Sequence, residues 1–155
     1  MASKWVDQLR NYVLFRELSD EELELIAKAT KEESYQADEV LFNYGEKGGN
    51  LYLISEGMIE ITIPIMRFDS KEERVSLLKE GDCFGELSFF DNKPHSARAT
   101  AIKPVKVVVI NNNDYERNIK ENLEAGYEVQ KKILAKIVNI VRDMNTRYSY
   151  KPFLE

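Results

Sequence analysis

Residues 81–101 read Gly81-Asp82-Cys83-Phe84-Gly85-Glu86-Leu87-Ser88-Phe89-Phe90-Asp91-Asn92-Lys93-Pro94-His95-Ser96-Ala97-Arg98-Ala99-Thr100-Ala101. The run Phe84-Gly85-Glu86 predicts the end of a strand and a short helix opening at Leu87. N–H groups at such a start lack intrahelical partners and point outward, which suits an anion. Gly85 lets a ligand approach the backbone closely. Glu86 is a strong acceptor beside it, suited to hydroxyl groups. His95 and Ser96 follow, then a strand of small residues. One loop thus offers anion-binding amides, a hydroxyl-binding carboxylate and two side-chain donors, a set that a sugar phosphate satisfies. A capped turn between two strands explains the same residues, with Glu86 as a carboxylate favoured by the helix dipole. On the residues alone that plainer reading leads. Cys83 reads as a small apolar core residue.

Short strands surround this loop over about residues 32–110. Ile59, Ile61, Ile63 and Ile65 alternate with Glu60, Thr62 and Pro64, so one face is apolar. Val105, Val107 and Val109 alternate likewise around Lys106. Val40 to Phe42, Leu51 to Ile54 and Val75 to Leu78 are further strand candidates. Gly45, Gly48, Gly49, Gly57 and Gly81 fall between these runs, where turns need positive φ. Arg67 to Arg74 is polar and reads as a hairpin loop. Many short strands at regular spacing predict an antiparallel sandwich or jelly roll.

Helical segments flank the strands. Ser19 and Glu22 form a capping box, followed by Leu23, Ile26 and Ala27 on one face. Leu14 and Phe15 precede it as a staple into the core. Asn113 with Glu116 reads as a second cap, and Gly126 as a joint between two helices. Beyond it, Val129, Ile133, Ile137, Ile140 and Met144 form one apolar seam. Leu134, Val138, Val141, Asn145 and Tyr148 form another beside it. Two readings stand equally. Either one wide stripe faces the core, or one seam packs on the strands and the other on a partner.

The chain has 155 residues and a formal net charge of −5, with one histidine and one cysteine. Hydrophobic residues at 43% and charged residues at 32% fit one soluble globular domain rather than a disordered chain. Cys83 and His95 cannot supply the ligands of a zinc site, so no metal is expected. A redox dithiol and an intrachain disulfide are excluded, which favours a reducing, cytoplasmic setting. Any hydrolytic triad would have to use His95 as its base. An enzyme built on carboxylates is weak, because general acid/base work needs a second group placed beside Glu86. The N-terminus is too polar for a secretory signal, and no stretch approaches a membrane span. The negative charge and the lack of a Lys/Arg cluster argue against nucleic-acid binding.

The cassette and its surroundings resemble the cyclic nucleotide-binding domain family of catabolite activator proteins, protein kinase A regulatory subunits and cyclic-nucleotide-gated channels. The family's phosphate-binding cassette runs Phe-Gly-Glu-Leu, a short helix, then Pro-Arg-(Ala/Ser)-Ala. Here Phe84-Gly85-Glu86-Leu87 and Pro94-His95-Ser96-Ala97 match it. Leu14-Phe15, Leu18-Ser19-Asp20-Glu21-Glu22-Leu23, the glycines before Leu51-Tyr52-Leu53-Ile54, and Gly57 before the isoleucine strand match as well. The resemblance covers roughly residues 12–148.

The resemblance implies a mainly β fold with flanking helices. That fold is an eight-stranded antiparallel jelly-roll barrel over 32–111 in a single 1–155 domain. N-terminal helices would cover 1–31, and C-terminal hinge and lid helices with a tail 112–155. It implies ligand contacts from Phe84, Gly85, Glu86, Leu87, His95, Ser96 and Ala97, with Glu86 on the ribose 2′-hydroxyl and the last helix over the base. The phosphate-pairing arginine of the family falls on His95, which offers fewer donors and a charge that fades near neutral pH. Lys93 and Arg98 are nearby cations suited to compensate. The implied function is a non-enzymatic sensor of cAMP or cGMP, with no cofactor and no DNA-reading helix-turn-helix domain. Its partners are the nucleotide and, through Ile133, Ile137, Val138, Ile140, Val141 and Met144, a second copy or another protein. The alternative is a degenerate domain that lost or altered its ligand and serves as a dimerisation or interaction adaptor.

Overall fold

The computed structural model describes residues 3–64 and 71–149. Eight antiparallel strands form two sheets. The first orders β1 (Thr30–Tyr35), β8 (Val105–Asn111), β3 (Asn50–Glu56) and β6 (Cys83–Phe84). The second orders β2 (Val40–Phe42), β7 (Arg98–Ala101), β4 (Met58–Pro64) and β5 (Glu72–Lys79). Among the described residues no ladder joins the sheets, so the expected closed barrel is an open sandwich of the same jelly-roll class. The rim strands β2 and β6 are only three and two residues long, too short to carry a closing ladder.

The inner faces meet in a core of Phe42, Tyr52, Ile54, Ile59, Phe84, Ala99 and the odd-numbered valines of β8. The even-numbered residues Val108 and Ile110 are also fully buried, with Leu51 and Leu53. They pack under helices on the outer face of the first sheet. β8 therefore lacks the one-sided exposure its alternation suggests, because helices cover its second face. The molecule is three layers: helices, first sheet, second sheet. The expected Arg67–Arg74 loop is corrected in part. Glu72, Glu73 and Arg74 already belong to β5, and the rest of that loop up to residue 70, with Ile65, lies outside the described residues, as does the tail beyond 149.

The N-terminal helical layer contains α1 (Lys4–Leu9), a 3-10 turn Val13–Phe15 and α2 (Asp20–Ala27). Ser19 Oγ accepts from the Glu22 N–H at 3.2 Å, and Glu22 Oε1 accepts from the Ser19 N–H at 3.2 Å. That is the expected capping box. Leu14, Phe15, Leu23 and Ile26 are buried. The Tyr12 hydroxyl donates to the Ile54 carbonyl at 2.9 Å, tying this layer to β3. Burial pushes its phenol up to about 12.

Two long elements close the chain, α4 (Asn112–Glu121) and α5 (Leu123–Ser149). The cap of α4 is Asn111, not Asn113. The Asn111 Oδ1 accepts from the Asp114 N–H at 3.0 Å, because β8 runs straight into the helix. The joint between the helices is Asn122 rather than Gly126, which lies inside α5. Gly126 instead allows α4 and α5 to touch. A Cβ there would meet Ile119 Cγ2 at 2.8 Å and the Ile119 carbonyl oxygen at 2.9 Å.

The seams of α5 divide along its length. Val129 and Ile133 are buried and Ile137 half-buried, all against the N-terminal layer. The expected packing of α5 on the strands is replaced by contact with α2, α4 and the Val13–Phe15 turn, since the N-terminal helices already cover the sheet. Further along, Ile140 and Met144 are 41% and 48% exposed. The second seam is open as well, with Leu134, Val138 and Val141 exposed.

Helix propensity alone makes Gly126→Ala stabilising by about 0.8–1 kcal/mol. The backbone contact at Ile119 reverses the sign, and overpacking of this kind costs about 1–3 kcal/mol. Thermal and urea unfolding of the variant will show a lowered midpoint, and a raised one would refute the contact.

Candidate functional site

Gly85 ends β6 and caps α3 (Glu86–Asp91) with φ +80°, so the helix opens one residue earlier than Leu87. No side chain fits there. A Cβ would lie 2.8 Å from the Asn50 carbonyl oxygen and 3.0 Å from the Tyr52 ring. Gly48, expected as a turn residue with positive φ, has another role. A Cβ on it would fall 2.1 Å from that of Ser88. α3 is thus held close to the β2–β3 loop. The helix ends at Asn92, and Lys93 and Pro94 lead to His95.

A cavity of about 300 Å³ opens between this segment and the second sheet, at the lower end of small-molecule pockets. Phe84, Gly85, Glu86 and Leu87 line one side, with His95, Ser96 and Ala97 next to them. The structure brings all seven expected residues to one place. Ile61 and Ile63 of β4 with Val75 and Leu78 of β5 form the facing wall. Sequence reasoning treats these as core strands. The signal for a second role is that β4 keeps its isoleucine period where its partner β5 is exposed and charged. Ser88 and Phe42 also line the cavity and are missed by motif reading.

His95 is 7% exposed and its ring stacks on Phe42, with centroids 3.6 Å apart and planes 7° apart. Its Nδ1 lies 3.3 Å from Ser88 Oγ. Its backbone N–H donates to the Glu46 carbonyl and its carbonyl accepts from the Gly45 N–H, each at 2.8 Å. Burial holds the imidazole below its ordinary value, with the Glu46 carboxylate partly opposing. Burial raises the Glu86 carboxyl, partly offset by a hydrogen bond from its own N–H. Burial also pushes the Cys83 thiol up to about 12, so it stays protonated and a poor nucleophile.

Neither expected cation reaches the cavity. Arg98 Nη1 pairs with Glu72 Oε1 at 2.5 Å, and its Nε donates to Asn43 Oδ1 at 2.7 Å. Strand alternation explains this: Ala99 faces the core, so Arg98 faces out. Lys93 is exposed, and its backbone N–H is held by Asp91 at 2.9 Å. Among the described residues no lysine or arginine lines the cavity, and no residue of α5 does. An anion in it would meet neutral donors and one carboxyl group. Among the described residues no group of three or more His, Cys, Asp or Glu is placed to hold a metal. No described helix is long and apolar enough to cross a membrane.

Fold and cavity together define a β-sandwich with helical flanks and a cavity beside its cassette. The family model described as the cyclic nucleotide-binding domain matches residues 32–122, and the chain belongs to that family. It is similar to the cGMP-dependent protein kinase, isozyme 1, of Drosophila melanogaster, at 28% identity over 77% of this chain and 16% of the kinase. It is 28% identical to the cAMP-dependent protein kinase regulatory subunit of Candida albicans, over 72% of this chain and 23% of that one. The chain thus spans under a quarter of either relative. The solved N-terminal domain of a transcriptional regulator from Streptomyces coelicolor A3(2) superposes with a TM-score of 0.74 at 28% identity, covering 89% of this chain and 94% of that one.

The single histidine gives one resolved imidazole signal in carbon-detected NMR. Its titration midpoint will fall below 6.5 in the folded chain. Because the folded value is depressed, the unfolded chain binds the extra proton, and His95 withdraws stability as pH falls below 6.5. A midpoint at or above 6.5 would contradict the burial of the ring.

Proposed function

We propose that a cyclic nucleotide of the cAMP or cGMP class occupies the cavity between the cassette and β4–β5. The observation that carries this is the convergence of Phe84, Gly85, Glu86, Leu87, His95, Ser96 and Ala97 on one cavity in a chain of the cyclic nucleotide-binding family. The phosphate meets the first N–H groups of α3 with Ser96 and His95. Glu86 accepts from the ribose hydroxyl, and the base lies on the apolar wall of Ile61, Ile63 and Val75. The names of the Drosophila kinase and the Candida regulatory subunit support this ligand class.

In this reading the chain is a cytoplasmic regulatory module with no catalysis of its own. Binding shifts α5 between two packings. The exposed residues Val138, Ile140, Val141 and Met144 report the shift to a second copy or another protein, whereas Ile133 and Ile137, also expected on that surface, pack inward on the N-terminal layer instead. The exposed seam and the lack of a lysine or arginine among the described lining residues favour one second reading, a degenerate domain acting as a dimeric adaptor.

Calorimetry with cAMP and cGMP separates the two. The first reading predicts saturable heat with at least one nucleotide. A charge-assisted bond of about 1.5–3 kcal/mol makes His95→Arg bind about ten- to a hundredfold tighter. Bound phosphate favours protonated His95, so wild-type binding tightens as pH falls below 6.5. With no lysine or arginine among the described lining residues, affinity at neutral pH will vary little with salt. No heat with either nucleotide, together with a dimer broken by Val138→Glu at the exposed seam while the fold is kept, would establish the adaptor instead.

A further inference from the structure

A second cavity of about 450 Å³ adjoins the first and shares Phe42 and His95 with it. We propose that it is a separate site for an uncharged, polyhydroxylated small molecule of the monosaccharide or cyclitol type.

Its character is set by side-chain amides. Asn50, Asn92, Asn111, Asn112 and Asn113 all line it. Three are locked into the framework. Asn112 Nδ2 donates to the Phe89 carbonyl at 2.6 Å, and Asn111 Nδ2 to Asn50 Oδ1 at 3.3 Å. The Asn111 oxygen caps α4 at the Asp114 N–H, and the Asn112 N–H donates to the Gly49 carbonyl at 2.9 Å, so two of the first N–H groups of the helix are already taken. Asn92 and Asn113 lie exposed on the rim of the cavity, and their side-chain amides have no hydrogen-bond partner among the described residues, so they are open to a ligand in place of water. Each offers two donors and an acceptor, the complement of a hydroxyl group that both donates and accepts.

Charge narrows the ligand further. Glu46, Lys47 and Glu116 are the charged groups on the lining, and Glu46 also accepts from the Asn43 amide at 3.0 Å. Two carboxylates against one ammonium repel a phosphate and give no cage for a metal. Phe42 and Tyr52 form only the floor of this cavity, since both are buried and stacked on His95 and Phe84; the side-chain amides carry the recognition.

Position gives the site a consequence. Asn92 closes α3, and Asn113 lies in the first turn of α4. An occupant would bridge the cassette helix to the C-terminal helices and press on the His95–Phe42 stack from behind.

The test is NMR of the full chain with ¹⁵N-labelled side-chain amides. The probes are D-glucose, D-ribose and myo-inositol, with inorganic phosphate and spermidine as charged controls. The expected result is a saturable shift of the Asn92 and Asn113 amides with at least one of the three polyols. One lost hydrogen bond weakens binding by about fivefold, so Asn113→Ala will raise the apparent Kd about that much while the rest of the spectrum is kept. No saturable shift with any of the polyols, or shifts produced by phosphate or spermidine instead, would overturn the proposal. Neither result depends on cyclic nucleotide binding.

Discussion

At Gly85 the chain turns from β6 into α3 with φ +80° and no space for a Cβ. Everything near the cavity depends on that turn. It lets the backbone lie against Asn50 and Tyr52, and it sets Glu86 and Leu87 at the mouth of the cavity. Gly48 repeats the constraint on the other side of α3, where its bare Cα faces Ser88. Ser88 in turn lies against His95, which stacks on Phe42. Two glycines and one aromatic stack therefore hold the cassette to the β2–β3 loop. A side chain at either glycine would move α3, and with it the whole donor set.

The cavity so formed is unusual in its charge. Among the described lining residues the one carboxyl group, Glu86, is discouraged from ionising by burial. Its imidazole is held neutral for the same reason. The available arginine turns outward to Glu72 and Asn43. On the proposed function, the described residues would hold the nucleotide by directed hydrogen bonds and apolar contact rather than by ion pairing. Such bonds are weaker than those of a guanidinium fork but strongly directional.

Much of this is legible in the residues, for physical reasons. The box at Ser19 and Glu22 is local chemistry, readable without tertiary context. The isoleucine period of β4 is likewise local. The cassette is legible because Phe-Gly-Glu-Leu and the following Pro-His-Ser-Ala are separated only by one short helix. What is not legible depends on neighbours distant in sequence. Val108 and Ile110 are buried because helices cover the first sheet. Gly126 serves a contact with Ile119 rather than a bend. Arg98 shares the parity of Ser96, yet the core-facing Ala99 sends it outward. Ile61, Ile63 and Val75 face the cassette across the cavity, a relation set by how β4 and β5 lie opposite residues 84–97 and not by local sequence.

The central claim is that the cavity beside Gly85 is where this chain meets a cyclic nucleotide. Amide hydrogen exchange on the full chain, with and without saturating cAMP and in parallel cGMP, tests it most directly. The account predicts that one of them slows exchange in 84–97 and along β4 and β5, with smaller changes in α5. Protection confined to other segments, or an unchanged profile with both nucleotides, would contradict it.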